Sequence, residues 1–577
     1  MKKEFRSSRS CRSSGEEPGA RIQESGGLGT CIARLKFQAI IIQWSEEPGC
    51  QESPTTDFLF TDRFLGPSGP KASQTRRTQN LLASGFWLPT PLLELLELLY
   101  FYRRTRYPCR VNEVVSFSRS AGIVAFLTCI LISRAVAEEN LTFDFGSPRK
   151  FYGLGVQLWP ATGHQAERDA LLHDLHVRYV RAGFTSKVED EQLKNHMSVA
   201  EISSAITKTT DEDQTAVYSQ LHDEVTQLHL NLDLVFWQVP SVWCINSGDS
   251  EFSHARINPD NIQDYANWIT AHLLYAKRIR LLPSMIEMIN EPDSTTGTQF
   301  SPEQYDALLF AVRATLDRYG LATVGIEGPG VGSASTVEAY TQVLERTGHI
   351  SLLKQLSWHD LDTVRRPEPA GFAGVPLRLL ANAHQLPIAI TEFSSESPQW
   401  DREPYDSGPR TRSDNNAANS PDFGVSVVAE AIKLIADGAN SMSYYQAEDP
   451  SFTQDAFGLL NENGQRKPVA AALQMFLELI PFQCNVASPK QVTFGFASVC
   501  LRSDHGLVLA AANLSQESSK IEARIVNALL PARVASVRRF DSHGAAPQAV
   551  PASMVALNGP NVSFDLPGRS VMVLFLR

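Results

Sequence analysis

The sequence predicts an α/β protein, a (β/α)8 TIM barrel followed by a small antiparallel β-sandwich. Two observations carry that expectation. From about Phe151 to Pro481, short β-rich apolar runs alternate with amphipathic helical stretches, as a ring of parallel strands and helices requires. After Pro481 the helical pattern stops, and short alternating runs separated by Gly, Pro, Asn and Ser take over, the pattern of a small antiparallel domain. A chain of 577 residues is long enough for both cores.

Eight strand-like runs can be read in order. They are "FYGLGVQLW" from residue 151, "VRYVRAGF" from 177, "LDLVFWQVP" from 232 and "SMIEMINEP" from 284. Then come "LATVGIEGPG" from 321, "LLKQLSWHDL" from 352, "PIAITEFSS" from 387 and "SMSYYQAED" from 441. Their nearly continuous apolar character suits strands buried on both faces. "GPGVG" (328–332) lacks the spacing of a dinucleotide-binding loop and is read as an ordinary loop; an open doubly wound sheet is the alternative architecture. Between the runs, Ile262, Tyr265, Trp268, Ile269 and Leu273 fall along one helical face. Ser301-Pro302 and Gly320 mark the start and stop of another helix, and further helices are expected near 421–437 and 466–479.

The expected organisation is a leader over 1–118, disordered or an over-extended gene model, then a signal peptide or signal anchor over 119–137. An N-terminal strand over 138–150 joins the β-domain, the barrel spans 151–481, and the sandwich spans 482–577. The leader contains only Met1 and is rich in Ser, Arg, Pro and Gly. "AGIVAFLTCILI" (121–132) follows Arg119 and precedes an Ala135-x-Ala137 pattern, the three parts of a secretory signal. It is short of the roughly 20 apolar residues of a comfortable membrane span. The expectation is therefore a secreted protein, with a type II membrane-anchored form as the alternative, and membrane contact only if the segment stays uncleaved. Asn140, Asn513 and Asn561 head N-x-S/T triplets, weak support for secretion.

The net charge of −11 comes from acidic residues spread along the chain, which argues against nucleic acid as a partner. Five of the eight cysteines fall before residue 130, and no pair has C-x-x-C spacing. With no H-x-x-x-H at the strand ends either, no metal and no cofactor is expected. In an oxidising compartment Cys484 and Cys500 form the natural disulfide pair, leaving Cys244 free.

In a barrel of this kind the strand C-termini face the active site. Glu291 ends the fourth run, behind Asn290 and before Pro292, and Glu392 ends the seventh. Two carboxyls converging from opposite sides of one mouth suit cleavage of a glycosidic bond, one protonating the leaving oxygen and the other attacking or activating water. Taken singly, each is as easily a solvated loop glutamate.

On "INEP" and "ITEF" the chain resembles the retaining glycoside hydrolases of clan A, which include families 5, 30, 39 and 79. The trailing β-domain makes families 30, 39 and 79 the nearer likeness. The resemblance implies a carbohydrate substrate, a monomer, Glu291 as acid/base and Glu392 as nucleophile, with Glu291 neutral and Glu392 ionised before attack. It implies further that Asn290 bonds the sugar 2-hydroxyl and that His359 lies near the nucleophile. Arg181 holds the nucleophile ionised or forms a structural ion pair, and Tyr445 orients Glu392 or lines the pocket, with Tyr444 facing outward. Trp159 and Trp237 are candidates for sugar stacking, as are Trp243, Trp358 and Trp400, although most tryptophans are core. The long connection after the seventh run carries Asp401, Arg402, Glu403 and Arg410, either solvated or binding a polar sugar. A catalytically silent carbohydrate-binding barrel at the cell surface is the competing reading.

Overall fold

The computed structural model describes residues 137–577 apart from several internal segments, the longest being 246–254, 361–380 and 396–417. The leader, the apolar segment over 121–132, Trp400, Asp401, Arg402, Glu403 and Arg410 lie outside the described residues. All described residues belong to one compact unit. Among them, no helix is long and apolar enough to cross a membrane.

Eight strands close into a parallel barrel, each paired with the next and the last with the first. In order they are Gly153–Leu158, Tyr179–Gly183, Asn231–Val235, Met285–Glu287, Gly325–Val331, Gln355–Asp360, Ile388–Phe393 and Ser441–Tyr444. Each lies within one of the eight apolar runs or extends one residue beyond it, because a strand covered by helices outside and side chains inside has no solvated face to mark with polar residues. One boundary needs correcting. Residues 328–331 are not loop but the end of strand five, with a register shift against strand six.

The helices follow the periodicity that marked them. The helix Ile262–Arg278 buries Tyr265, Trp268, Ile269 and Leu273. The helix Pro302–Arg318 begins with a capping box between Ser301 and Gln304, with Pro302 in its first turn; Gly320 follows it at φ +69°. The helix Pro421–Asp437 is buried along almost its whole circumference. It packs on the barrel and also on strands Phe496–Ser503 and Gly506–Asn513 of the β-domain, so its polar stripe has been replaced by apolar residues.

The β-domain is two stacked sheets. One has seven strands and includes Arg149–Phe151, which leads straight into the barrel; the other has four and includes Ala137–Asp144. The N-terminal strand lies parallel to Ser519–Val526. Phe143, Leu509, Ile521, Ile525, Phe564 and Leu574 fill the space between the sheets.

One expectation fails here. Cys484 and Cys500 are free thiols. On the antiparallel pair, Cys500 lies opposite Ala487, three residues from Cys484, so alternation sends the two side chains to opposite faces. Cys484 joins the core shared with the barrel and Cys500 the core of the sandwich. Asn513 is buried and its amide donates to the Glu517 carbonyl at 2.8 Å, leaving no room for a glycan; Asn140 and Asn561 are exposed.

Candidate active site

The mouth of the barrel gathers five ionisable side chains from four strands and one loop. Arg181, on strand two, is 1% exposed and organises the rest. Its Nη1 donates to Glu392 Oε1 at 2.5 Å and to Gln157 Oε1 at 2.6 Å. Its Nη2 donates to Glu287 Oε1 at 2.7 Å and to Asn290 Oδ1 at 2.8 Å. The fork geometry of a guanidinium lets one residue hold partners on several strands at once. Its face rests over the Trp237 ring, 5.4 Å from the centroid.

Glu392 lies inside strand seven, one residue before its end. Glu291 is placed differently. Strand four stops at Glu287, and the chain runs on through Asn290, whose amide donates to the Phe236 carbonyl at 3.0 Å. Glu291 then adopts φ +45°, with its own amide donating to the Gly330 carbonyl at 3.0 Å. A left-handed glutamate is uncommon, and here it lifts the carboxyl above the strand end into the cleft. Gly332 makes room for it: a Cβ there would lie 3.2 Å from the Glu291 carboxyl carbon. The Glu291 side chain is 27% exposed, against 8% for Glu392.

His359, on strand six, bridges the two glutamates. Its Nδ1 is 2.9 Å from Glu291 Oε1 and 3.5 Å from Glu392 Oε2, and its Nε2 lies 3.8 Å from Glu287 Oε1. Three carboxylates outweigh the cost of burial and push the imidazole up to about 10. Ligand atoms of Glu291, His359 and Glu392 all lie within 4.8 Å of one another. A metal ion could bind there only by displacing the proton that His359 shares with the glutamates.

The two glutamates differ in their electrostatic surroundings. Glu291, although burial opposes ionisation, is held below the usual carboxylate range by the His359 contact. Burial pushes Glu392 up, a rise that His359 and Arg181 offset only in part. His359 pairs more closely with Glu291 than with Glu392, at 2.9 Å against 3.5 Å.

The remaining sequence candidates separate clearly. Trp159 and Trp237 stack on each other with centroids 5.2 Å apart, and Trp159 Nε1 donates to Gln446 Oε1; both rings are partly exposed beside the charged cluster. Trp243 and Trp358 are fully buried, so neither ring presents a face to a sugar. Tyr445 packs its ring 6.0 Å from Phe457 and is joined to Gln446 by a cis peptide bond. Tyr444 is buried against Phe393.

Three side chains of the cluster escaped the reading of the sequence: Glu287, Gln157 and Gln446. Glu287 carried a usable signal, a charged residue inside an apolar run at an inward strand position. The two glutamines carried none that separates them from ordinary polar residues.

A closed eight-stranded parallel barrel with a β-sandwich attached is a fold shared with solved glycoside hydrolase structures. Solved structures of that fold align with most of the chain. One is the glycoside hydrolase family 30 subfamily 8 xylanase Xyn30A from Clostridium acetobutylicum, at 13% identity and TM-score 0.55, covering 76% of this chain and 99% of that one. A GH30 endoxylanase from Clostridium papyrosolvens C71 aligns at 16% identity and TM-score 0.55, with 76% and 99% covered. The endo-beta1,6-glucanase BT3312 aligns at 13% identity and TM-score 0.52, with 75% and 93% covered. No protein-family model matches the sequence, and no curated protein does.

Proposed function

We propose that the chain is a retaining glycoside hydrolase that cleaves β-glycosidic bonds in a polysaccharide or glycoconjugate. The observation that carries the reading is the approach of Glu291 and Glu392 from strands four and seven to within 4.8 Å. Retaining enzymes need their carboxyls about 5–5.5 Å apart, whereas inverting ones keep about 6.5–9.5 Å for a water.

In the first step Glu392 attacks the anomeric carbon while Glu291 gives its proton to the departing oxygen. In the second, Glu291 takes a proton from water, and the resulting hydroxide displaces Glu392 from the sugar. The division of roles follows exposure: Glu291 projects into the cleft where a leaving group departs, and Glu392 sits deeper against Arg181. Attack requires the pair's proton on Glu291, and His359 Nδ1 lies within reach of both carboxyls. Once Glu392 is glycosylated its charge is gone, and Glu291 is free to act as base. In this reading Asn290, held by Arg181, bonds the sugar 2-hydroxyl, and the stacked Trp159–Trp237 pair serves as a platform beside it.

A panel of aryl β-glycosides and β-linked polysaccharides tests the proposal. Glu291→Gln and Glu392→Gln should each lower turnover by roughly a hundredfold or more in protein that remains folded, and azide should rescue Glu392→Gly. Full activity in either Gln variant would sink the assignment; glycan binding without product release would favour a silent binding barrel. The proposal includes secretion through residues 119–137, and a mature N-terminus well before Glu138 would contradict that part alone.

A further inference from the structure

Glu287 is the fifth ionisable member of the cluster and has no part in the two steps above. It is 1% exposed. Oε1 accepts from Arg181 at 2.7 Å and lies 3.8 Å from His359 Nε2, while Oε2 has no hydrogen-bond partner among the described residues. A buried carboxylate with one oxygen unpaired is a poor source of stability. The fold nevertheless makes room for it: a Cβ at Gly330 would come within 2.6 Å of the Glu287 carboxyl carbon, so a larger residue there would drive Glu287 off Arg181.

A count of charge gives Glu287 a purpose. Arg181 on strand two and His359 on strand six supply two positive charges. Glu287, Glu291 and Glu392 are the carboxyls that touch them. The other groups facing Glu287 are Asp233 on strand three, Glu327 on strand five and the Tyr305 hydroxyl from the helix Pro302–Arg318. Burial pushes Asp233 up to about 7 and Glu327 well above the carboxylate range, so in mildly acidic solution neither adds charge. With Glu287 ionised, one positive charge remains for the two catalytic carboxyls. The cluster is then neutral when Glu291 and Glu392 hold one proton between them, the state from which double displacement starts.

We propose that Glu287 is a positioning residue that neutralises one of the two cations at the barrel mouth and thereby keeps a single proton on the Glu291–Glu392 pair. This rests on the glycosidase reading for its purpose, though not for its measurement. Without the Glu287 charge, Arg181 and His359 would together stabilise both carboxylates, and the pair would lose its proton at lower pH.

The test combines the pH profile of kcat/KM on an aryl β-glycoside with carboxyl-13C glutamate NMR of the full chain, Glu291 and Glu392 being assigned from their Gln variants. In Glu287→Gln the alkaline limb should fall by about one pH unit or more, the usual effect of a charge within contact distance. The carboxyl titration of the pair should move with it, and Glu287→Asp, which keeps the charge, should lie between Gln and wild type. In the wild-type protein, Glu287 should remain ionised throughout the range in which the pair holds its one proton. That measurement decides the matter even if Glu287→Gln fails to fold. An unmoved limb and titration, or a Glu287 that carries the proton itself, would overturn the proposal. A shifted carboxyl titration in a protein that hydrolyses no glycoside would leave it standing and remove the glycosidase reading instead.

Discussion

Among the described residues two buried arginines organise carboxylates, and only one of them lies at the candidate site. Arg181 holds Glu287 and Glu392 at the barrel mouth. Arg168, on the helix Gln165–Asp174, holds Glu224 from the helix Glu212–Gln227 and Glu448 from the segment after strand eight. Both are sealed from solvent, and both satisfy more than one carboxylate. The Arg168 group is closed on every side, with its side chains at most 1% exposed. The Arg181 group opens to the cleft through Glu291 and includes His359, which can pass a proton between neighbours. Burial and ion pairing are thus common to scaffold and site. Access, together with a proton that has two places to sit, distinguishes them.

The largest expected contrast sets activity against stability. Glu392→Gln should stop turnover with a modest change in Tm. Arg168→Ala should instead cost about 3–5 kcal/mol of stability, because two buried carboxylates lose their counter-ion, while leaving the pH profile of the remaining folded enzyme unchanged. Denaturant unfolding and a pH–rate profile on the same samples separate the outcomes; a shifted profile in Arg168→Ala would erase the distinction drawn here.

A smaller effect is expected from His359 in pH-dependent stability. Its folded value of about 10 exceeds the ordinary 6.5, so folding favours its protonated form. That contribution is fully present below pH 6.5 and is lost as pH rises towards 10. The stability advantage of wild type over His359→Gln, followed by thermal unfolding across that window, should therefore shrink. An advantage that grew with pH would mean the ring is buried neutral.

The smallest effect concerns Asp233, deeper in the barrel, which accepts from Ser284 Oγ at 3.2 Å. Burial lifts it to about 7 from an ordinary 3.8. The fold therefore opposes its ionisation, at a cost absent below pH 3.8 that grows until about pH 7. Asp233→Asn should be near neutral in acid and mildly stabilising above pH 7, as read from Tm at the two extremes. Destabilisation at alkaline pH would show that the carboxylate is ionised and paired.

The barrel was legible because its signals are local. Each strand announces itself as an apolar run, and Ser301, Pro302 and Gly320 frame a helix by rules acting within one turn. That Glu291 and Glu392 would meet at one mouth was legible from their positions, since strand ends in a barrel share one face, although Glu291 lies beyond the end of strand four at Glu287. The disulfide failed for want of register: Cys484 and Cys500 lie on neighbouring strands, and only the pairing of Cys500 with Ala487 shows that they point apart. Trp243 and Trp358 failed in the same way, because nothing local separates a tryptophan in the core from one at a cleft.

The sequence by itself determined the order of strands and helices, the change to an antiparallel domain near Pro481, and which two glutamates the fourth and seventh runs bring towards the barrel mouth. Those depend on periodicity and short-range stereochemistry, which are written along the chain. Only the tertiary structure decided that Arg181 would meet four partners and that His359 would stand between the glutamates, closer to Glu291 than to Glu392. Charge states in a buried cluster follow from distances between residues remote in sequence, and a linear chain does not carry those distances.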